Sequence, residues 1–430
     1  MANNNKSALT YHMVCGDDIG NGCVKGCIKV NDGNLEKFDF QSVCASDTKS
    51  KKPIVDETDI KNTINDIFNH MELSFTSPAV LLSNNTRYLF GESALSKDFS
   101  MEFDVHSSKS KAEDDLSSML TLGTLAGKAL QTYYNENNTL PEEILNVEAI
   151  VAMALPIAEF VKGFDDVYKK KLLNAEHIVT FHNFQIPITV KITITAMEVL
   201  AEGSAAQYAI STLTSGILTT MLDQARKDGM KLDGIEAKHI TEAQSTIGID
   251  IGDGTVNFPV FTNEAFDRNR SGSINSGHGK ILEEAVEDLS DNYGLDGFTR
   301  KDLSSFLNNP PANDAAPSKR QRYNIVAQVV ENHENELANA IIRKLTKIKA
   351  KMPQLDAIFV YGGGATPVKE YLYPQLIKNA VIGTNSDLMV PVIYLNSNYS
   401  RFLNREGLFT VANAIAEAIS TAKKTTSKAE

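Results

Sequence analysis

The sequence predicts a two-domain α/β protein in which one strand–turn–strand unit is used twice, and three observations lead there. In the middle of the chain the apolar run Thr246-Ile247-Gly248-Ile249-Asp250-Ile251 meets Gly252-Asp253-Gly254-Thr255 and a second apolar run starts at Val256. Short apolar runs interrupted by glycines read as two strands joined by a tight turn. Near the start, Met13-Val14-Cys15-Gly16-Asp17-Asp18-Ile19-Gly20-Asn21-Gly22 leads into the apolar alternation from Cys23 to Ile28 in the same way. Both copies read Asp-Ile-Gly-(Asn/Asp)-Gly, and Asp18 and Asp250 lie 232 residues apart. That is too far for one hairpin, so the pattern is read as a duplicated domain. A chain of 430 residues also has material for two domains, each with its own core.

Glycines at such a turn let the backbone bend and bring its N–H groups close to a ligand, an arrangement that suits phosphate oxygens. Asp250 ends its strand beside that site. A carboxylate next to phosphate is repulsive unless a hard cation lies between them, which points to Mg²⁺ held mostly through its own waters. A single Asp-Gly turn is equally the signature of a surface hairpin. Two copies at the head of two halves are what raise the phosphate reading, with two turns gripping a polyphosphate from opposite walls of a cleft.

Composition narrows the function classes. A net charge of −12 argues against a broad electrostatic footprint for nucleic acid, which needs basic patches. No stretch approaches the roughly 20 consecutive apolar residues of a membrane-spanning helix. The opening Met-Ala-Asn-Asn-Asn-Lys-Ser has no apolar core of a secretory signal, so a cytoplasmic protein is expected. All four cysteines, Cys15, Cys23, Cys27 and Cys44, fall early. On one strand Cys23 and Cys27 would stand about 13 Å apart, too far to share zinc, and buried structural thiols are the expectation.

Taken in order, a polar segment at Asp32-Gly33-Asn34 leads into a third strand within Leu35 to Cys44. Residues from about 46 to 110 read as an inserted smaller α+β subdomain, with strands at Pro78–Leu82 and Arg87–Ala94 joined by an Asn84-Asn85 turn. From Asp114 the spacing of Leu116, Met119, Leu120, Leu122, Leu125, Ala126, Ala129 and Leu130 is helical. Val147–Ala154 is a short apolar run fit for a buried strand. Ile188, Val190, Ile192 and Ile194 alternate with Thr189, Lys191, Thr193 and Thr195, the period of a half-buried strand.

Met197–Ala209 marks a change from strand to helix, and Gly203-Ser204-Ala205-Ala206 would let that helix start pack very close to something. It is read as the last helix before the second turn, joining the halves. Glu202 either projects into the cleft or is a solvated carboxylate favoured by the helix macrodipole. Ser271–Lys280 reads as a glycine-serine stretch opening a helix whose bare N–H groups suit an anion, or as a capping loop. His278 reads as a surface-loop histidine. Asn308–Arg322 reads as an exposed loop before a long helix from about Tyr323 to Lys349. Leu355–Tyr361 is a buried strand running into Gly362-Gly363-Gly364, an open backbone surface on which a purine ring can lie. Asn404–Ala414 starts a small-residue helix, and the last ten residues read as a frayed tail.

The order of these parts resembles the actin, sugar-kinase and heat-shock-chaperone ATPase superfamily, over almost the whole chain. Within it the chain is similar to bacterial actins of the plasmid-segregating ParM type. Glu202-Gly203-Ser204-Ala205-Ala206-Gln207-Tyr208 resembles their junction segment, and Gly272–Leu289, with Gly277 at the helix start, resembles the loop and helix lining their nucleotide pocket. The resemblance implies duplicated actin-like (ribonuclease H-like) domains flanking a nucleotide cleft, each with a smaller subdomain. Domain I would be 1–205 plus a C-terminal helix at 405–430, and domain II 206–404.

It further implies that Asp18 and Asp250 position Mg²⁺ and its waters. Gly20, Asn21 and Gly22, with Gly252, Asp253, Gly254 and Thr255, would form the phosphate turns. Gly362, Gly363 and Gly364 would form the adenosine motif, and Glu202 would orient the attacking water. Two departures stand out: the first turn carries Asn21 where a small or hydroxyl residue is usual, and the junction lacks the prolines often found beside the glutamate. The implied activity is hydrolysis of ATP, or GTP, timing head-to-tail assembly into helical filaments. A ParR-like adaptor at a plasmid centromere would make the contact to DNA, with no membrane involved. The rival readings are a small-molecule kinase of the same fold and a chromosomal cell-shape or division actin.

Overall fold

The computed structural model describes residues 9–47, 52–82, 86–103, 109–382, 388–395 and 397–426. The strands, in chain order, are β1 (Thr10–Ile19), β2 (Cys23–Val30), β3 (Glu36–Gln41), β4 (Cys44–Asp47), β5 (Glu72–Thr76), β6 (Arg87–Phe90), β7 (Leu145–Leu155), β8 (Glu176–Phe181) and β9 (Ile188–Ala201). They continue as β10 (Thr246–Ile251), β11 (Val256–Phe258), β12 (Val260–Thr262), β13 (Ala265–Phe266), β14 (Gly272–Ile274), β15 (Ala357–Tyr361) and β16 (Val392–Tyr394). The helices of the first half are α1 (Glu57–Asn65), α2 (Ile67–His70), α3 (Glu92–Leu95), α4 (Asp115–Asn137), α5 (Ile157–Val161), α6 (Phe164–Leu172) and α7 (Ser204–Ser211). Those that follow are α8 (Ser215–Lys227), α9 (Ala237–Thr241), α10 (His278–Tyr293), α11 (Arg300–Leu307), α12 (Pro317–Lys349), α13 (Lys369–Asn379), α14 (Ser397–Ser400) and α15 (Leu403–Thr426). The chain divides into two compact units, Met1–Ala209 with Asn404–Glu430, and Ile210–Leu403.

The first unit is built on one sheet in the order β3-β2-β1-β7-β9-β8-β5-β6-β4. Strands β1, β7 and β9 run parallel at its centre, where burial on both faces explains the near-continuous apolar run of β7. Strands β4, β5 and β6 extend the same sheet through β8. Helix α4 packs against β1, β7, β8 and β9 and is buried on every side from Asp115 to Leu130, Ser117, Ser118, Thr121 and Thr124 included. Its apolar spacing marked one face; tertiary packing covers the others too.

The alternation of β9 contains a fault that the sequence shows and the structure explains. Its register against β7 shifts between Ala149 and Ile150, and Thr195 and Ala196 are consecutive residues outside the core. Buried positions change there from Ile188, Val190, Ile192 and Ile194 to Met197, Val199 and Ala201. A bulge inserts one residue, which reverses the phase of a period-two pattern.

Helix α15 is pressed onto this unit by small residues. A Cβ at Gly407 would overlap the carbonyl oxygen of Ala205, at the start of α7, and one at Gly16 in β1 would overlap the backbone of Phe409. Ala152, Ala154, Ala205, Leu408 and Ala412 form the cluster around that contact. The small residues expected to admit a close neighbour therefore have one. Cys15, Cys27 and Cys44 are buried and Cys23 is half-buried; all four are free thiols.

The second unit has the strand path β13-β12-β10-β11-β14, with β15 pairing β10 and β16. Every residue of β10 and β15 is buried, as parallel strands covered on both faces require. Helices α10, α11 and α12 share an apolar cluster that includes Leu282, Leu289, Leu303 and Val329.

Several sequence expectations need correction. Pro78–Leu82 is not a strand; the strand of that region is β5, and Leu81 and Leu82 N–H groups are instead held by the Asp115 carboxylate at 2.7 and 2.8 Å. The proposed Asn84-Asn85 turn lies outside the described residues. Helices α8 and α9 follow α7, so α7 is not the last helix before the second hairpin. Part of the glycine-serine stretch is strand β14, paired with β11. Helix α12 begins at Pro317, taking in Lys319, Arg320 and Arg322, because proline is well suited to the first helical position. Helix α15 continues to Thr426, and the four residues after it lie outside the described residues.

Candidate functional site

The two glycine hairpins have the same internal geometry. In the first, Asp18 stands opposite Lys25 and Ile19 opposite Val24; in the second, Asp250 stands opposite Asn257 and Ile251 opposite Val256. In both, the glycine after the strand closes the turn, Gly20 N–H donating to the Cys23 carbonyl at 3.1 Å and Gly252 N–H to the Thr255 carbonyl at 2.9 Å. Each leading strand has a parallel neighbour on its other edge, β7 beside β1 and β15 beside β10.

In the first unit Asp18 is 8% exposed. Burial raises its carboxyl above the ordinary range and Glu202 adds to this, while Lys25, Lys111 and Arg405 oppose it. The Lys25 ammonium lies 3.9 Å from the carboxylate. Glu202 follows directly on β9, and its N–H donates to the Leu155 carbonyl at 2.7 Å. Its carboxylate accepts from the Lys111 ammonium at 3.1 Å. This is not the solvated side chain of a first helical turn: it stands before α7, 16% exposed, in an ion pair. Gly20, Asn21 and Gly22 are half-buried.

In the second unit Asp250 is 6% exposed, and the turn after it is fastened to helix α10. The N–H groups of His278 and Gly279 donate to the Gly252 and Asp253 carbonyls, each at 2.9 Å, and Lys280 N–H reaches the Asp253 carbonyl at 3.2 Å. The first amides of α10 are thus spent on the turn rather than bare. Gly277 is required by this closeness, since a Cβ there would overlap the Asp253 carbonyl. The Asp253 carboxylate, exposed, accepts from Arg300 at 3.0 Å, and Arg300 also reaches Glu283 at 3.1 Å. His278 opens α10 rather than lying in a surface loop, with its Nε2 3.1 Å from Glu334 Oε1.

The three glycines after β15 are not equivalent. Gly362 has φ +96°, and a Cβ there would stand 2.5 Å from the Asp250 carboxylate. Its N–H and carbonyl are both bonded to Ser400. Gly364 is crowded by His278 Cβ at 2.6 Å and donates its N–H to the Ile251 carbonyl at 2.8 Å. Only Gly363 is exposed with nothing within 4 Å of where a Cβ would stand. Two of the three therefore answer a packing demand, and the open backbone surface is centred on Gly363.

Sequence reasoning passed over Asp17, Lys25, Lys111, Glu159, Arg300, Arg405 and Ser400. Lys25 was legible, since a two-glycine turn sets it opposite Asp18; nothing local marked Lys111 or Glu159. Asp17 lies next to Asp18 on β1 but is wholly buried. Burial pushes its carboxyl up to about 7, with the Asp18 charge adding and the Thr121 hydroxyl opposing. Cys15 and Tyr168 are its other titratable neighbours. The folded chain therefore keeps a proton on Asp17 that the unfolded chain releases near pH 4. In metal-free buffer, the Asp17 contribution to folding stability should fall as pH rises from about 4 to about 7, by at most about 1.4 kcal/mol per pH unit, and level off above. Asp17→Asn should remove that slope and be more stable than the parent at pH 8. Urea unfolding at pH 5 and pH 8 checks it; equal slopes in the two proteins would contradict it.

Residues 16–204 match the family model described as the N-terminal domain of actin-like proteins. That stretch runs from within β1, shortly before the first glycine turn, to the first residue of α7. The fold is actin-like. Solved structures of this fold superimpose over nearly the whole chain. Bacillus thuringiensis ParM with ATP superimposes with a TM-score of 0.58 at 17% identity, covering 95% of this chain and 99% of that one. The actin-like protein Alp7A gives 0.59 at 14%, covering 97% and 100%. Apo pSK41 ParM gives 0.55 at 18%, covering 96% and 100%. No curated protein sequence matches the chain. Among the described residues no helix is long and apolar enough to cross a membrane.

Proposed function

We propose that this actin-like chain binds and hydrolyses ATP, or GTP, with Mg²⁺, assembles into helical filaments while the nucleotide is intact, and segregates plasmid DNA from the cytoplasm. The observation that carries the reading is the repeated hairpin. Two turns of equal register, each led by a nearly buried aspartate and each beside a parallel strand, are hard to account for as two unrelated surface hairpins. The donor set fits Mg²⁺ with a nucleotide: one carboxylate per hairpin is too few to cage a metal ion but suits Mg²⁺, which keeps most of its waters.

In this reading Asp18 and Asp250 hold Mg²⁺ through its waters, and the amides around Gly20–Gly22 and Gly252–Thr255 hold phosphate oxygens. Gly363 gives the base a flat backbone to lie against. Bound Mg²⁺ supplies charge neutralisation on the phosphates. Glu202 orients the attacking water, and Lys25, across the hairpin from Asp18, adds a cation to the phosphate side. Catalysis is then by positioning and charge stabilisation, with no covalent intermediate. A heterologous head-to-tail contact makes open helical filaments rather than closed rings. DNA is reached through an adaptor of the ParR kind, in keeping with the chain's net charge of −12.

The test is light scattering with parallel phosphate release, on purified protein with Mg²⁺ and ATP, GTP or no nucleotide. Scattering that rises with nucleotide above a critical concentration, ahead of phosphate release, is the expected result. Hydrolysis with no assembly at any concentration would favour a kinase of the same fold, and a phosphate-acceptor screen would follow.

A further inference from the structure

We infer that Lys111 is a positioning residue that holds the Glu202 carboxylate in place for water attack, and that the short segment before α4 exists in part to deliver it. This rests on the proposed nucleotide hydrolysis and adds to it a residue that neither the sequence motifs nor the comparisons point to.

Lys111 lies in neither strand nor helix, yet only 7% of it is exposed. A buried ammonium is costly unless it is paired and hydrogen-bonded, so its place depends on the partners it meets. Its ammonium donates to the Ile19 carbonyl at 2.6 Å and to Glu202 Oε1 at 3.1 Å, and stands 5.1 Å from the centre of the Phe103 ring. Its backbone is fixed in turn: Lys111 N–H donates to Glu159 Oε1 at 3.1 Å, and the Ser110 hydroxyl donates to the other oxygen of the same carboxylate. Ala112 is held as well, its carbonyl accepting from Lys171 at 3.3 Å.

These contacts gather three parallel strands at one end. Ile19 is the last residue of β1, Glu159 is on the helix that follows β7, and Glu202 follows the last residue of β9. A simple staple would need only backbone carbonyls. Lys111 uses one, beside Asp18, and donates also to the carboxylate that the mechanism requires to be still. Freezing a glutamate side chain costs rotamer entropy. With Lys111 in place that cost is met on folding rather than during the reaction.

The experiment compares the parent with Lys111→Met, Lys111→Arg, Glu202→Gln and the Lys111→Met/Glu202→Gln double variant. It measures kcat, KM for Mg²⁺-ATP, and affinity for a fluorescent ATP analogue. Lys111→Met should lose about 10- to 100-fold in kcat, the scale of a misplaced catalytic group, with KM and analogue affinity within about threefold. Lys111→Arg should recover most of the rate, and the double variant should be no slower than Glu202→Gln, because residues acting as a unit are non-additive. A double-variant cycle in urea on the nucleotide-free chain should give a coupling between the two positions, a readout independent of turnover. If Lys111→Met does not fold, Lys111→Gln, which keeps a donor for the Ile19 carbonyl and loses the charge, carries the same comparison. A hydrolysing parent whose Lys111→Met or Lys111→Gln variant keeps its kcat, or a double variant whose losses multiply, overturns the role of Lys111 alone. A parent that neither binds nor hydrolyses nucleotide overturns the functional reading, and this role with it.

Discussion

Asp250→Ala should cut nucleotide hydrolysis by roughly 10²- to 10³-fold while leaving a folded chain. The carboxylate sits at the end of β10, 6% exposed, where the backbone is held on one edge by β11 and on the other by β15. Those ladder bonds do not involve the side chain, so the hairpin should survive its removal. In the proposed site the same carboxylate is one of two that hold Mg²⁺ through water. Losing a preorganised electrostatic partner of this kind costs roughly 10²- to 10³-fold in rate. Stability should move by only about 1–3 kcal/mol, the usual range when one buried polar group is removed. Phosphate release, circular dichroism and thermal unfolding on the same preparation decide the matter. Asp250→Asn, of equal size without the charge, should fall nearly as far in rate. An Asp250→Ala protein that turns over at the parent rate would remove Asp250 from the site.

Gly407→Ala should destabilise the fold itself. A Cβ at this position of α15 would overlap the carbonyl oxygen and carbon of Ala205, and neither is the movable end of a side chain. The helix must then lift off α7, loosening Leu408 and Ala412 from Ala152, Ala154 and Ala205. Overpacking of this sort costs about 1–3 kcal/mol and sometimes more, against a gain of about 1 kcal/mol from replacing glycine by alanine in a helix. Because backbone meets backbone, the upper end of that range applies, and a net loss of about 2 kcal/mol is expected. Gly216→Ala in α8 is the internal control, since nothing lies within 4 Å of its Cβ position, and it should stabilise by about 0.5–1 kcal/mol. Urea unfolding of the two variants beside the parent separates helix propensity from close packing. Equal shifts in the two would mean that the α7–α15 contact carries no load.

Both variants test features that differ in how far they could be read ahead of the structure. Asp250 stood out because a strand, a two-glycine turn and a second strand are local patterns, and the second copy at Asp18 repeated them. The close approach near Ala205 was also readable, as a run of small residues, but its partner was not: Gly407 is about 200 residues away in sequence. Where local patterns failed, tertiary structure had intervened. The bulge in β9 reversed an alternation at Thr195–Ala196, and the expected strand at Pro78–Leu82 gave way to amides anchored on Asp115.

What the sequence by itself determined is the α/β fold class and the two glycine hairpins, because side-chain period, turn chemistry and hairpin register are properties of a few neighbouring residues. What only the tertiary structure decided is how charged groups from distant segments share a strand end. Lys111 meets Glu202 and Ile19, and Glu159 holds the segment that carries Lys111, across separations of 48 to 92 residues. In the second unit the first amides of α10 are spent on the Gly252-Asp253 turn, although the glycine-serine stretch had the look of a free anion site. The physical reason is the same in each case. A buried charge or a helix end must find a partner, but its own stretch of sequence does not say which one, and the choice falls to whichever groups the packed strands bring within about 3 Å.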